Sequence, residues 1–296
     1  MIAFKQKISN MTTDLANIYA DYDANTTYSS GDKVSYGGFY WQMIPSTATG
    51  ITPSDNSLYW EKIGVANRES IIDLRSTTKS EKTDSFYIEF PIDYTYTYLA
   101  IGYYATMNLK VEALDENDNI VKVYIDETQP INEDVFDYYD YMYSDYSIDT
   151  NRTRFIPLVH IGKKIKITFT GDDKNVPTPN CGFVLAGDGI NLGTTLSNVN
   201  FKLNSYSVKK TDSFGVMTID KRAVQNIIDF ETIIDRGEFM EKRNKIKALY
   251  DEFCCFILNE SDIKSEMIGV GVIENVTQLY DENSKSTIGY SIVEAI

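Results

Sequence analysis

From Ser70 to Leu203 the chain repeats one pattern, a short run rich in Val, Ile, Tyr and Phe followed by a turn signal. This repeat leaves few folds open, because a short run buries only one face and needs a second sheet to cover it. Strands are expected at Ser70–Leu74, Ser85–Pro91, Tyr98–Tyr103, Leu109–Leu114, Ile120–Ile125, Phe155–Ile161, Lys164–Thr170, Gly182–Ala186 and Val199–Leu203. The acidic stretch Asp115-Glu116-Asn117-Asp118-Asn119 makes the tight turn between two of them. Thr97–Tyr104 is apolar on both faces, so it belongs in the middle of a sheet. Residues 66–216 are therefore expected to form an antiparallel β-sandwich.

The two ends have a different character. Residues 1–16 are mostly polar, with Met1, Ile2, Phe4 and Ile8 as the few anchors, and are expected as an N-terminal arm. Residues 217–296 are expected as a small α+β domain. Within it, Ala223–Ile234 fits either a strand or a helix, and periodicity does not separate the two. Glu238–Tyr250 is the clearest helix, with Phe239, Ile246, Leu249 and Tyr250 on one face and Lys and Arg on the rest. Strands follow at Phe253–Leu258, Ile268–Val276 and Ile288–Val293, the last two joined through Asp281-Glu282-Asn283-Ser284.

Residues 17–65 form a separate aromatic-rich β module. Val34 and Tyr36 alternate with Lys33 and Ser35 as a half-buried strand requires. Gly37-Gly38 is a two-residue hairpin signal, since both positions accept positive φ. Phe39–Ile44 returns as the partner strand, and Trp60–Gly64 closes the unit. The pattern Tyr28…Gly31-Asp32-Lys33-Val34…Gly38-Phe39-Tyr40…Gly50…Pro53…Trp60-Glu61…Gly64 resembles the small chitin-binding modules of carbohydrate-binding families 5 and 12. That resemblance implies a glycan site built on exposed aromatic side chains, for which Tyr36, Tyr40, Trp41 and Trp60 are the candidates. The position of the family's adjacent aromatic pair reads Met43-Ile44-Pro45-Ser46 here.

Two stretches interrupt the strand rhythm of the middle region. Asp134–Asp149 holds five aspartates, five tyrosines and Phe136, with no basic residue. Cys181–Thr195, CGFVLAGDGINLGTT, runs from a strand into a glycine-rich turn. Together with Ser205-Tyr206-Ser207-Val208-Lys209-Lys210-Thr211-Asp212-Ser213-Phe214-Gly215, they resemble a block of tail-associated virion proteins of tailed bacteriophages. The resemblance spans roughly Tyr28 to Arg222 and rests on turn and core patterns, not on catalytic signatures. It implies other virion proteins as partners and many symmetric copies in a ring or tail assembly. The tyrosine-rich run makes Phe136, Tyr138, Tyr139, Tyr141, Tyr143 and Tyr146 the candidate assembly interface.

Charge narrows the function classes. The formal net charge is −15, from 28 basic and 43 acidic residues, which disfavours nucleic acid and anionic membranes as partners. No run reaches the length of a membrane span, and the first residues lack the apolar core of a signal peptide. The expected location is a virion assembled from protein made in a bacterial cytoplasm. Cys181, Cys254 and Cys255 are expected as buried, reduced thiols.

Catalytic signatures are thin. His160 is the sole histidine and reads as a structural strand residue, with no Cys/His cluster beside it. Gly187-Asp188-Gly189-Ile190-Asn191-Leu192-Gly193 follows a strand but has the wrong spacing for a dinucleotide loop and reads as a turn. Asp115, Asn117 and Asn119 mimic the start of a calcium loop without its glycine and distal glutamate. No cofactor, metal or enzymatic activity is expected. The reading is a mainly β structural component of a bacteriophage tail, neck or baseplate, with a tail adhesin that binds host-surface polysaccharide as the alternative. An accessory module of a polysaccharide-degrading enzyme is the third reading.

Overall fold

A computed structural model describes the chain apart from residues 6–7, 46, 56, 76, 93–95, 129–141, 143–151, 160, 173–175, 212, 214, 259–267, 280–284 and 295–296. The fold is mainly β, with antiparallel sheets and one α-helix of eleven residues among the described elements.

Three sheets stack in the body of the protein. The outer sheet has five strands in the order Ile120–Thr128, Asn108–Leu114, Lys164–Thr170, Ser85–Pro91 and Thr12–Thr13. The middle sheet has three, Arg152–Pro157, Tyr98–Tyr104 and Phe183–Gly187. Between these two sheets, Phe86, Ile88, Phe90, Leu109, Val111, Ile165, Ile167 and Phe169 meet Leu99, Ile101, Ile156, Val184 and Ala186. Burying each such side chain contributes roughly 1.5–3 kcal/mol.

The opposite face of the middle sheet is buried too. Ala100, Phe183 and Leu185 pack on Ile2, Phe4, Cys255, Ile257 and Val270 of a seven-stranded sheet. That sheet runs Ile190–Asn191, Ile2–Lys5, Cys254–Ile257, Ile268–Leu279, Lys285–Glu294, Val224–Asp235, Thr194–Ser205. On its far side Ala3, Cys254, Phe256, Phe230, Ile288 and Tyr290 share a core with Phe239, Ile246 and Leu249 of the helix Phe239–Leu249. A strand held between two cores must be apolar at every position. This is why Tyr98–Tyr104 and Cys254–Ile257 carry no alternation, and why Tyr98–Tyr104 is the central strand of its sheet.

The structure divides the chain differently from the sequence reading. Ile2–Lys5 is an interior strand, paired with Ile190–Asn191 on one side and Cys254–Ile257 on the other. Thr12–Thr13 then pairs with Ile88 and Glu89, so the expected arm of residues 1–16 joins two sheets. The boundary expected at 216 falls inside a hairpin, because Thr194–Ser205 pairs with Val224–Asp235. Residues 66–216 and 217–296 accordingly share the core formed by Phe183, Leu185, Cys255 and Ile257. Gly187 permits this joint, since a Cβ there would lie 2.3 Å from the Lys5 carbonyl oxygen. Ser70–Leu74 contains a 3₁₀ turn, Ser70–Ile72, and no strand; Ile71 and Leu74, three residues apart, are both buried. The ambiguous 223–234 segment is a strand, Val224–Asp235.

The 17–65 module keeps a core of its own, formed by Val34, Trp41, Met43 and Trp60. Its sheet orders Lys33–Tyr36, Phe39–Met43 and Trp60–Val65, beside a small ladder of Thr27–Ser29 and Thr47–Thr49. Gly37 and Gly38 turn the hairpin at φ of 60° and 83°. The module is fastened where the chain enters and leaves it: the Tyr40 hydroxyl oxygen accepts bonds from the Ile18 and Asn67 amides, both at 2.9 Å. Buried Asn67 then ties Ala16 to Glu81 through its side-chain amide.

Candidate functional site

The aromatic candidates of the module do not form a platform. Trp41, Trp60 and Tyr40 are buried. Their polar atoms are used internally: the Trp41 indole donates to the Tyr36 carbonyl at 3.0 Å and the Trp60 indole to the Ile51 carbonyl at 2.7 Å. Trp60 also meets Tyr22 and Tyr28 edge-to-face, and Tyr22 stacks on Tyr28 at 5.5 Å. Of the four candidates only Tyr36 is exposed, at 42%. The physical reason is size: a domain this small builds its core from its largest rings, which leaves neither tryptophan for a flat sugar-stacking surface. Phe136, Tyr138, Tyr139, Tyr141, Tyr143 and Tyr146, and also His160, lie outside the described residues.

Two other surfaces stand out, both on the seven-stranded sheet. The first is a polar groove of about 570 Å³. The face of the sheet that meets the middle sheet is apolar where it is covered, at Ile2, Phe4, Cys255, Ile257 and Val270. Past the reach of the middle sheet the same face turns polar. Strand register sets Asn200, Asp229, Ser291 and Asn275 in one row across four strands. A second row contains Glu231, Gly289 and Thr277, and the missing side chain of Gly289 deepens the floor. Lys202 closes the end of the groove in an ion pair with Asp229. Hydrogen bonds from Lys202 and Ser291 hold the Asp229 carboxyl below the usual carboxylate range. It is ionised at neutral pH, so it accepts hydrogen bonds and has no proton to give as a general acid.

The second surface is a β-arm. The last register pair between Val224–Asp235 and Lys285–Glu294 is Ile227 with Val293, Gln225 and Asn226 still bond to Glu294, and among the described residues no third strand pairs with the hairpin farther out. It extends into the ribbon Val208–Thr211 paired with Met217–Asp220. Apart from the half-buried Ser207 and Val208, every described residue from 200 to 224 is exposed. Phe201 is 58% exposed, Leu203 74% and Val216 61%, with Met217, Ile219 and Val224 also open to solvent. A free two-stranded ribbon is marginally stable at best in water, and apolar side chains along it call for a partner surface.

Sequence reasoning placed Val199–Leu203 in a strand but assigned it to the sandwich, and it found neither the groove nor the arm. The alternation of Asn198, Asn200 and Lys202 with Val199, Phe201 and Leu203 was visible; that no described residue covers Phe201 and Leu203 was not. Two turn readings agree with the structure. Asp115 caps its own turn by accepting the Asn117 and Asn119 amides at 2.7 and 2.9 Å. The glycine-rich Gly187–Gly193 stretch passes through the short edge strand Ile190–Asn191 into a further strand, with no helix after it. Among the described residues, no group of three or more His, Cys, Asp or Glu side chains converges as metal ligands. No helix there is long and apolar enough to cross a membrane.

No protein-family model, curated protein or solved structure matches the chain.

Proposed function

We propose that this chain is a structural component of a bacteriophage virion, working through protein–protein contacts in the tail, neck or baseplate. The observation that carries this reading is the β-arm, whose apolar side chains lie open along a ribbon that no other described part of the chain covers. Two further features support it. The stretch Ser205–Gly215, which resembles the block of tail-associated virion proteins, lies on this arm. The body behind the arm is three sheets locked by continuous cores, a rigid base for a repeated contact. The test is to purify particles of the phage that encodes the chain and quantify it by mass spectrometry. The reading expects a fixed copy number per particle, and absence from washed particles ends it.

Polysaccharide binding is the second reading, and the groove favours it over the module. Asn200, Asp229, Ser291 and Asn275 present amide, carboxylate and hydroxyl groups in one row, the donor and acceptor mixture that a polyhydroxylated chain requires. Binding of host polysaccharide that is lost in Asn200→Ala and retained in Tyr36→Ala is the expected signature.

A further inference from the structure

The charge of the arm is opposite to that of the protein. Residues 201–224 hold Lys202, Lys209, Lys210, Lys221 and Arg222 against Asp212 and Asp220, a local charge of +3. The whole chain is −15, so the remaining residues total −18. The arm thus joins exposed apolar side chains to positive charge, on a body that is strongly acidic. Among the described residues, Lys202 pairs with Asp229 at the base, and Arg222 with Asp220 on the arm itself. Lys209 and Lys210 lie exposed on the ribbon, farther out.

This charge pattern separates three kinds of partner. Nucleic acid fits five bases, yet the −18 body would be repelled from any phosphate backbone the arm could reach. Arm-to-arm pairing across a twofold axis would bring two +3 ribbons together, and like charges face to face across an interface cost several kcal/mol. The body of another copy offers what the arm lacks, negative charge at the same concentration as the arm. The ribbon is also long enough to reach a neighbour, since the nine residues from Leu203 to Thr211 span about 30 Å when extended.

We propose that the β-arm of each copy docks head-to-tail on the acidic body of a second copy, and that this contact builds the homo-oligomer. It deepens the virion reading above by naming the partner of the arm. Such a contact uses two different patches, so it propagates: it closes into a ring when the rotation per copy divides a full turn and otherwise extends as a helical filament. Positive charge steers the encounter, and Phe201, Leu203, Val216, Met217 and Ile219 supply the apolar burial.

The experiment is sedimentation of the purified full chain at 50 mM and 500 mM salt, beside two variants. Lys209→Glu/Lys210→Glu reverses charge on the exposed ribbon without touching a core. The second variant replaces residues 206–223 by a short turn. The expected result is assembly of the wild type that weakens with salt, and self-association at least about tenfold weaker in the charge-reversed variant. The arm-less chain should not self-associate but should still bind one wild-type copy, because its body remains a receptor. Loss of binding between arm-less and wild-type chains would establish arm-to-arm pairing and overturn the proposal. So would a wild type that stays monomeric at high concentration, or a charge-reversed variant that assembles normally. If the arm-less chain does not fold, the charge-reversed variant and the salt series still decide. Presence in purified particles without self-association would sink this inference and leave the virion reading standing; self-association of a chain absent from particles would do the opposite.

Discussion

The Tyr103 hydroxyl donates a short hydrogen bond to the Glu294 carboxylate, joining residues 191 positions apart. Tyr103 reaches it because the strand Tyr98–Tyr104 shifts register between Gly102 and Tyr104, with Tyr103 at a φ of 53°. That left-handed conformation is costly for a tyrosine and persists only where the surroundings hold it. The other carboxylate oxygen of Glu294 accepts from the backbone and side-chain amides of Asn226. One buried carboxylate thus fastens the middle sheet to two strands of the seven-stranded sheet, at the foot of the arm. Tyr103→Phe leaves a buried oxygen without its donor and is expected to cost about 1–3 kcal/mol. Urea denaturation should show a lower midpoint at unchanged slope; a midpoint equal to that of wild type would mean the bond is not a fastening.

The expected arm and the real arm should respond oppositely to truncation. Phe4 is fully buried and packs against Tyr98 and Phe155 with centroids 5.9 and 6.4 Å away. Phe4→Ala is expected to destabilise by about 3–5 kcal/mol. Phe201→Ala, on the exposed hairpin, should stay within about 0.5 kcal/mol as a monomer. Thermal denaturation of the two variants side by side checks this, and equal losses would refute the strand assignment of Ile2–Lys5.

Trp41 and Trp60 are the two tryptophans of the chain, so intrinsic fluorescence reports on the 17–65 module. Trp41→Ala is expected to unfold the module or to cost about 3–5 kcal/mol, and Tyr40→Phe about 1–3 kcal/mol through the lost acceptor for Ile18 and Asn67. Tyr36→Ala should leave the melting curve in place. A Trp41→Ala protein with native stability and lost sugar binding would restore the aromatic-platform reading.

All three cysteines are buried and free, and burial raises every thiol, with Cys254 pushed up to about 12. A thiol reagent at pH 8 should label none of them in the folded protein and all three in denaturant. Rapid labelling of one site without denaturant would show that the core around it opens locally.

The Lys202–Asp229 pair gives a pH signature whose sign follows from its direction. The folded pKa of Asp229 lies below its unfolded value, so the pair stabilises at pH above the unfolded value of about 4 and the effect disappears as pH falls through the folded one. Lys202 is largely exposed, which limits the gain to under about 1 kcal/mol. Lys202→Ala should therefore be slightly less stable than wild type at pH 7, with the gap shrinking as pH falls through the folded pKa of Asp229, by thermal melts at each pH. A gap that does not change with pH would mean that Lys202 stabilises by packing instead.

Glu69 predicts the opposite slope. Burial outweighs Arg68 and raises its carboxyl, so the protonated form is favoured in the fold, an advantage lost as pH rises through the folded pKa. One carboxyl oxygen of Glu69 is buried without a hydrogen bond. Glu69→Gln is expected to melt above wild type at pH 7, with the gap closing under acid conditions. A lower melting temperature at pH 7 would show that Arg68 or the turn depends on the charge.

Local patterns carried much of this structure. Ser85–Pro91 and Lys164–Thr170 have the bounds that their turn signals set, the Gly37-Gly38 hairpin has the required positive φ angles, and the helix starts and stops within a residue of expectation. Each is decided by neighbours within a few positions, through strand period, glycine freedom or helical spacing. What the amino-acid order by itself determined was a mainly β chain with a compact aromatic module and buried thiols. Tertiary structure alone decided that Ile2–Lys5 is an interior strand, that Thr194–Ser205 leaves the sandwich for another sheet, and that Phe201 and Leu203 stay uncovered. Those outcomes depend on which strand lies beside which, across more than a hundred residues for Ile2–Lys5. An apolar strand residue has the same pattern whether a second layer covers it or solvent does, and only the packed molecule distinguishes the two.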